Sequence, residues 1–120
     1  MGQYLPAFRP GDTVTFGVTT AVVGGRLVEV GTADRAVAPA GAASLKVVGV
    51  AGHDAAVGDK VTVEVSKAID LVPCAAAVAR GAKVEAAAAG KVQTFTTGQV
   101  VGLALNTTTA ADQLVYVLRF

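Results

Sequence analysis

A chain of 120 residues is long enough for one domain that buries roughly two-thirds of its unfolded surface. Lys plus Arg number 10 and Asp plus Glu 9, a formal charge of +1 with no run of like sign, which argues against the basic stripe of a nucleic-acid binder. Hydrophobic residues make up 52% and charged residues only 16%, an apolar surplus that so small a domain cannot hide and that points to a subunit contact.

The chain opens on "MGQYLPAFRPGD", which lacks the basic segment and apolar run of a secretory signal, and Pro6 departs from a myristoylation signal. No apolar run approaches about 18 residues, so no membrane span is expected. Residues 1–10 read as an arm in which Gln3, Tyr4, Leu5, Phe8 and Arg9 surround Pro6. Aromatics and Arg anchor interfaces, and prolines lower the ordering cost of an extended arm; Tyr4 and Phe8 could equally fold back over the end of the domain. Residues 11–120 read as a single β domain. "DTVTFGV" (12–18) predicts a strand with Val14, Phe16 and Val18 on one face, and "GRLVEVG" (25–31) a second after a turn at Gly24-Gly25. "LKVVGVA", "DKVTVEV", "AKVEAAA", "KVQTFTT", "QVVGLAL" and "QLVYVLRF" continue the pattern. Short Val- and Thr-rich strands with glycine turns indicate an all-β fold, a compact β-barrel or β-sandwich. One segment differs: Pro73 at a first turn, four alanines and Gly81 predict a short helix over 73–80.

The stretches 47–65 and 100–118 superimpose without a gap, Val47 on Val100, Gly49 on Gly102 and Asp59 on Asp112. An internal structural repeat of strand, loop and strand follows. His53 and Asp54, the chemically distinctive pair, meet Asn106 and Thr107, so the frame recurs while that pair does not, and the pair reads as a solvated turn.

No catalytic arrangement emerges. The two serines, Ser44 and Ser66, lie outside any nucleophile-elbow motif, and Asp54 and Asp59 sit in a Gly- and Ala-rich loop that suits turn caps. The one cysteine, Cys74, lies among small apolar residues, as a buried inert thiol does. With one His and one Cys, no metal site and no bound cofactor are expected.

Taken in order, "RPGDTVTFGVTTAVVGGRLVEVG", "LKVVGVAGHDAAVGDKVTVEV", "AAVARGAKVEA", "GKVQT" and "VVGLALNTTTAADQLVYVLRF" resemble the small capsid decoration (cement) proteins of tailed bacteriophages. The motifs of that family fall on Pro10–Val14, Gly49–Ala51 with Gly58–Val63, Ala77–Val84, and Gly102–Leu105 with Leu114–Arg119. The resemblance implies a non-enzymatic virion protein, made in the host cytoplasm. It would sit as a homotrimer on the exterior of the mature head and clamp neighbouring major capsid protein subunits. The arm residues Gln3, Tyr4, Leu5, Phe8 and Arg9 are the expected capsid contact, with the "YVLRF" strand structural. Two other readings stand beside it. One is a lipoyl- or biotinyl-type carrier domain modified at Lys67 of "GDKVTVEVSKAI", the other an oligomeric β adaptor of another kind.

Overall fold

A computed structural model of the chain describes residues 13–65 and 68–120. Ten strands run in order: β1 (Thr13–Val18), β2 (Leu27–Val30), β3 (Ala36–Pro39), β4 (Val47–Ala51), β5 (Lys60–Glu64), β6 (Ile69–Pro73), β7 (Lys83–Ala86), β8 (Val92–Thr94), β9 (Gly102–Ala104) and β10 (Leu114–Arg119). The fold is all-β. The arm and Lys67 lie outside the described residues.

The first five strands close into a barrel in the order β1-β3-β2-β4-β5, sealed by the antiparallel β1–β5 ladder from Thr13↔Glu64 to Gly17↔Lys60. The last five form a sheet in the order β6-β10-β9-β7-β8. Its free edges, β6 and β8, meet at one parallel bridge, Cys74↔Val92, where the first barrel has its parallel β1–β3 pair, Gly17↔Ala36 and Val18↔Val37. The second half is therefore the same barrel, held shut by a single bridge instead of a ladder.

The correspondence reaches individual side chains. Inside the first barrel lie Val18, Val22, Val28, Val37, Ala51, Val61 and Val63. Cys74, Val78, Val84, Val92, Ala104, Val115 and Val117 hold the matching places in the second. Each fully buried valine contributes about 1.5–3 kcal/mol by leaving water, so two small cores of branched side chains hold two small barrels. Leu27, Ala40 and Val50, on the outside of the first barrel, join the cluster of the second and cement the halves together. Arg119 adds a polar tie: its guanidinium donates to the Glu64 carbonyl at 2.6 Å and to Asp70 at 3.2 Å, with its side chain only 5% exposed.

The matching extends to backbone geometry. A Cβ on Gly49 would be driven into the Glu64 carbonyl, and one on Gly102 into the Leu118 carbonyl, so both positions need glycine for close approach of the facing strand. Gly58 and Asp112 both hold a positive φ, 88° and 66°, at the turn before β5 and β10. The two facing strands thus align as Val61 with Val115 and Val63 with Val117, one residue later than the gapless superposition has them. The loop between β9 and β10 carries one extra residue.

The helix expected over 73–80 is not formed. Pro73 ends β6, Cys74 makes the bridge to Val92, and the following amides bond across the fold. Ala75 N–H donates to the Val92 carbonyl (2.8 Å), Val78 N–H to Thr108 Oγ1 (2.9 Å) and Gly81 N–H to the Ala104 carbonyl (2.8 Å). The Val78 and Gly81 donors are ones a helix over these residues would use, and alanine propensity, a few tenths of a kcal/mol per residue, yields to them. The helical element that does appear is a single 3₁₀ turn, Ala88–Gly90.

Candidate docking face

The His53-Asp54 pair makes two hydrogen bonds across the first barrel. Thr62 N–H donates to His53 Nε2 at 3.3 Å, and Gly24 N–H donates to Asp54 Oδ1 at 2.7 Å. In the other barrel Tyr116 N–H donates to Asn106 Oδ1 at 2.7 Å, and Arg80 N–H donates to Thr107 Oγ1 at 3.2 Å. His53 and Asn106 hold the same amide of the facing strand, while Asp54 and Thr107 hold the same turn ahead of the second strand. The residue types differ and the jobs do not. His53 Nδ1 lies 2.9 Å from the Asp54 carbonyl, which completes its bonding within the loop. The pair is architecture.

The other polar residues are equally committed. Glu85 is fully buried; its Oε1 accepts from the N–H groups of Thr96 (3.1 Å), Thr97 (3.1 Å) and Gly98 (2.7 Å), and its Oε2 from Gln93 (2.6 Å) and the Thr96 hydroxyl (3.1 Å). Burial pushes its carboxyl up, but the Thr96 and Gly98 amides and then the Gln93 and Thr96 side chains outweigh it and hold the pKa at about 2. Glu29, its counterpart in β2, accepts from Gly41 N–H at 2.9 Å and faces Lys46 at 3.7 Å. Each glutamate fastens the loop after its hairpin. Asp112 is held below the usual carboxylate range by the hydrogen bond from Lys91 and by that ammonium's charge. Cys74 is buried, its thiol directed at Thr108 Oγ1 (3.4 Å) and the Ala110 carbonyl (3.2 Å), an inert environment.

Among the described residues no buried side-chain nitrogen or oxygen lacks a partner, and no cluster of His, Cys, Asp and Glu could hold a metal. A hollow of about 520 Å³ beside β1 is lined by Thr15, Thr19, Asp34, Arg35, Asp59 and Lys60 among others, and these six are exposed or half-exposed.

What the structure does display is an apolar face. Because strand residues alternate sides, β10 buries Val115, Val117 and Arg119 and turns Leu114, Tyr116 and Leu118 outward. Register places Leu114 opposite Pro73, Tyr116 opposite Leu71 and Leu118 opposite Ile69 on β6, and Leu118 opposite Leu103 on β9. Leu105 takes the next place, its N–H donating to the Tyr116 carbonyl at 2.8 Å. Ile69, Leu71, Leu105, Leu114, Tyr116 and Leu118 are between 38% and 58% exposed. The duplicate barrel provides an internal control. In β1 and β5 the same positions are Thr13, Thr15, Gly17, Lys60, Thr62 and Glu64, in the same register. One copy of the barrel shows water a polar face and the other an apolar one. Sequence reasoning saw the apolar surplus and took "YVLRF" as structural; the strand turns Val117 and Arg119 inward and Tyr116 and Leu118 outward.

Comparison with known proteins gives this chain a family and a structural neighbour. A family model described as phage cement protein matches residues 8–119. The fold is similar to that in the crystal structure of the head fiber gp8.5 N base of bacteriophage phi29, with a TM-score of 0.72 and 18% identity over 91% of this chain and 93% of that one. No curated protein sequence matches the chain.

Proposed function

Because this chain belongs to the phage cement protein family and is a structural protein of the phage capsid, we propose that it binds the outer surface of the mature head as a trimer and clamps neighbouring major capsid protein subunits. The observation that carries the proposal is the family match across residues 8–119. Two joined barrels in which, among the described residues, every buried polar side chain has a hydrogen-bond partner suit it, since a clamp needs stiffness and contact surface and no reacting group. Residues 11–120 act as the rigid body and residues 1–10 as the arm, with Gln3, Tyr4, Leu5, Phe8 and Arg9 supplying capsid contact. The protein is made in the host cytoplasm and works on the virion exterior.

The mechanism is linkage. A protein that binds the assembled shell and not its separated subunits stabilises the shell by mass action, and the effect accumulates over every occupied position. A trimer engages several subunits at once, so a weak contact per arm gives tight overall attachment. Co-sedimentation with mature, undecorated shells tests the proposal: binding should saturate at three chains per local site. Absence of binding to shells shown competent by another ligand would overturn it.

A further inference from the structure

We infer that the outer face of β6 and β10, extended by Leu105, is the surface through which copies of this chain meet one another. The duplication carries the inference. The two barrels share strand order, register, core positions and even their loop hydrogen bonds, so the fold itself does not require leucine, isoleucine or tyrosine on that face. The copy with Thr13, Thr15, Lys60, Thr62 and Glu64 in those places has the same β1–β5 pairing. The apolar residues of the other copy therefore answer to something outside the barrel.

Area and composition favour a second copy as the occupant. At about 200 Å² for a fully exposed large side chain, the six residues present roughly 550 Å², near the top of the 300–600 Å² that a monomer leaves uncovered. That is most of the about 800 Å² per partner in an ordinary interface, before any polar rim is added. None of the six is charged, and nearby Asp70 turns inward to Arg119. Homomeric interfaces are the ones with such apolar, charge-free centres, whereas surfaces that must stay free until they meet another protein are more mixed. A single face per chain, turned toward an axis, touches both neighbours in a closed ring. The number three rests on the proposed trimer; the location of the contact does not.

Light scattering during size-exclusion chromatography tests this on the full chain, comparing wild type with Leu114→Lys/Tyr116→Lys, with Leu71→Lys, and with the matched control Thr15→Lys/Thr62→Lys on the polar barrel. Circular dichroism checks the fold of each. Wild type and the control should be trimers, while the β10 double variant should associate at least about a hundredfold more weakly, as expected for two charges in an interface centre. Hydroxyl-radical footprinting of wild type supplies a reading free of any variant: Leu114 and Tyr116 should become protected as concentration rises. Face variants that stay trimeric, with no protection of Leu114 and Tyr116, would overturn the inference and leave the shell-clamping proposal intact. A trimeric double variant that has lost shell binding would put the capsid on this face and also overturn it. A wild type that is monomeric at every concentration would overturn both the inference and the trimer, and a monomer whose face is protected only by residues 1–10, as shown by deleting them, would assign the face to the arm instead.

Discussion

Replacing Glu85 by Gln isolates the charge at the centre of the second barrel's loop while nearly preserving shape. The carboxylate receives five hydrogen bonds, three from consecutive amides of Thr96, Thr97 and Gly98 on one oxygen and two from Gln93 and Thr96 side chains on the other. Glutamine keeps an acceptor for the three amides but turns its own NH₂ toward the NH₂ of Gln93, now 2.6 Å from Glu85 Oε2. The fall from the ordinary value of 4.5 to about 2 caps the charge term at about 3 kcal/mol by linkage. Because the loop it fastens faces solvent, screening reduces this to about 1–2 kcal/mol. Loss of the Gln93 bond restores the expected total to about 2 kcal/mol at neutral pH. The sign in acid follows from a folded pKa below the unfolded one: the stabilisation is fully present above 4.5 and is lost as pH falls through about 2. Urea denaturation followed by far-ultraviolet circular dichroism, on wild type and Glu85→Gln from pH 7 to pH 2.5, should show a gap that narrows in that window. A gap of the same size throughout, or none at pH 7, would refute the assignment of a working charge to this site.

The duplication yields further expectations. Gly49→Ala and Gly102→Ala should each destabilise by about 2–4 kcal/mol in urea denaturation, because the new methyl meets a strand carbonyl that the ladder holds in place. Gly58→Ala, where a Cβ meets nothing within 4 Å, should cost only about 1 kcal/mol, the strain of a positive φ. Comparison of the three separates close packing from backbone strain. His53→Asn should leave stability within about 0.5 kcal/mol and shell binding unchanged, since Asn106 already does the same work in the other barrel. Loss of shell binding in that variant would move His53 from the turn into a contact.

Strands rich in Val and Thr were legible from alternation alone, and eight of the ten lie under the segments so identified. The two that were not, β3 "AVAP" and β6 "IDLVP", are short and end in proline, so neither shows an unbroken alternating run. The alanine segment after β6 misled for a related reason: local propensity is weak, and the fold supplies distant partners for its amides. The repeat was visible over 47–65 and 100–118, where Gly49 and Gly102 share one offset, and was missed in the earlier strands of each half. Six of the seven core pairs keep their residue type, as Val61 with Val115, but the spacing between partners changes along the chain, so a gapless comparison misses them; others share only burial or a hydrogen bond, as Val18 with Cys74 or His53 with Asn106. The extra residue before β10 mattered most, because a slip of one in a strand exchanges its two faces. With the gapless superposition, buried Val61 falls on exposed Leu114, and the contrast between a polar and an apolar copy of one surface disappears.

The position of β10 in its sheet sets a timetable for assembly. The first barrel can be completed once residues 13–64 have left the ribosome, since β1 pairs with β5. The second cannot, because β10 lies between β6 and β9, and those strands have no direct ladder to each other. Until residues 114–119 emerge, Ile69 and Leu71 stand on a lone strand, and Arg119 has not yet reached Glu64 and Asp70. The apolar face is thus absent until residues 114–119 are available and appears in one step, on a chain whose first barrel can already be finished.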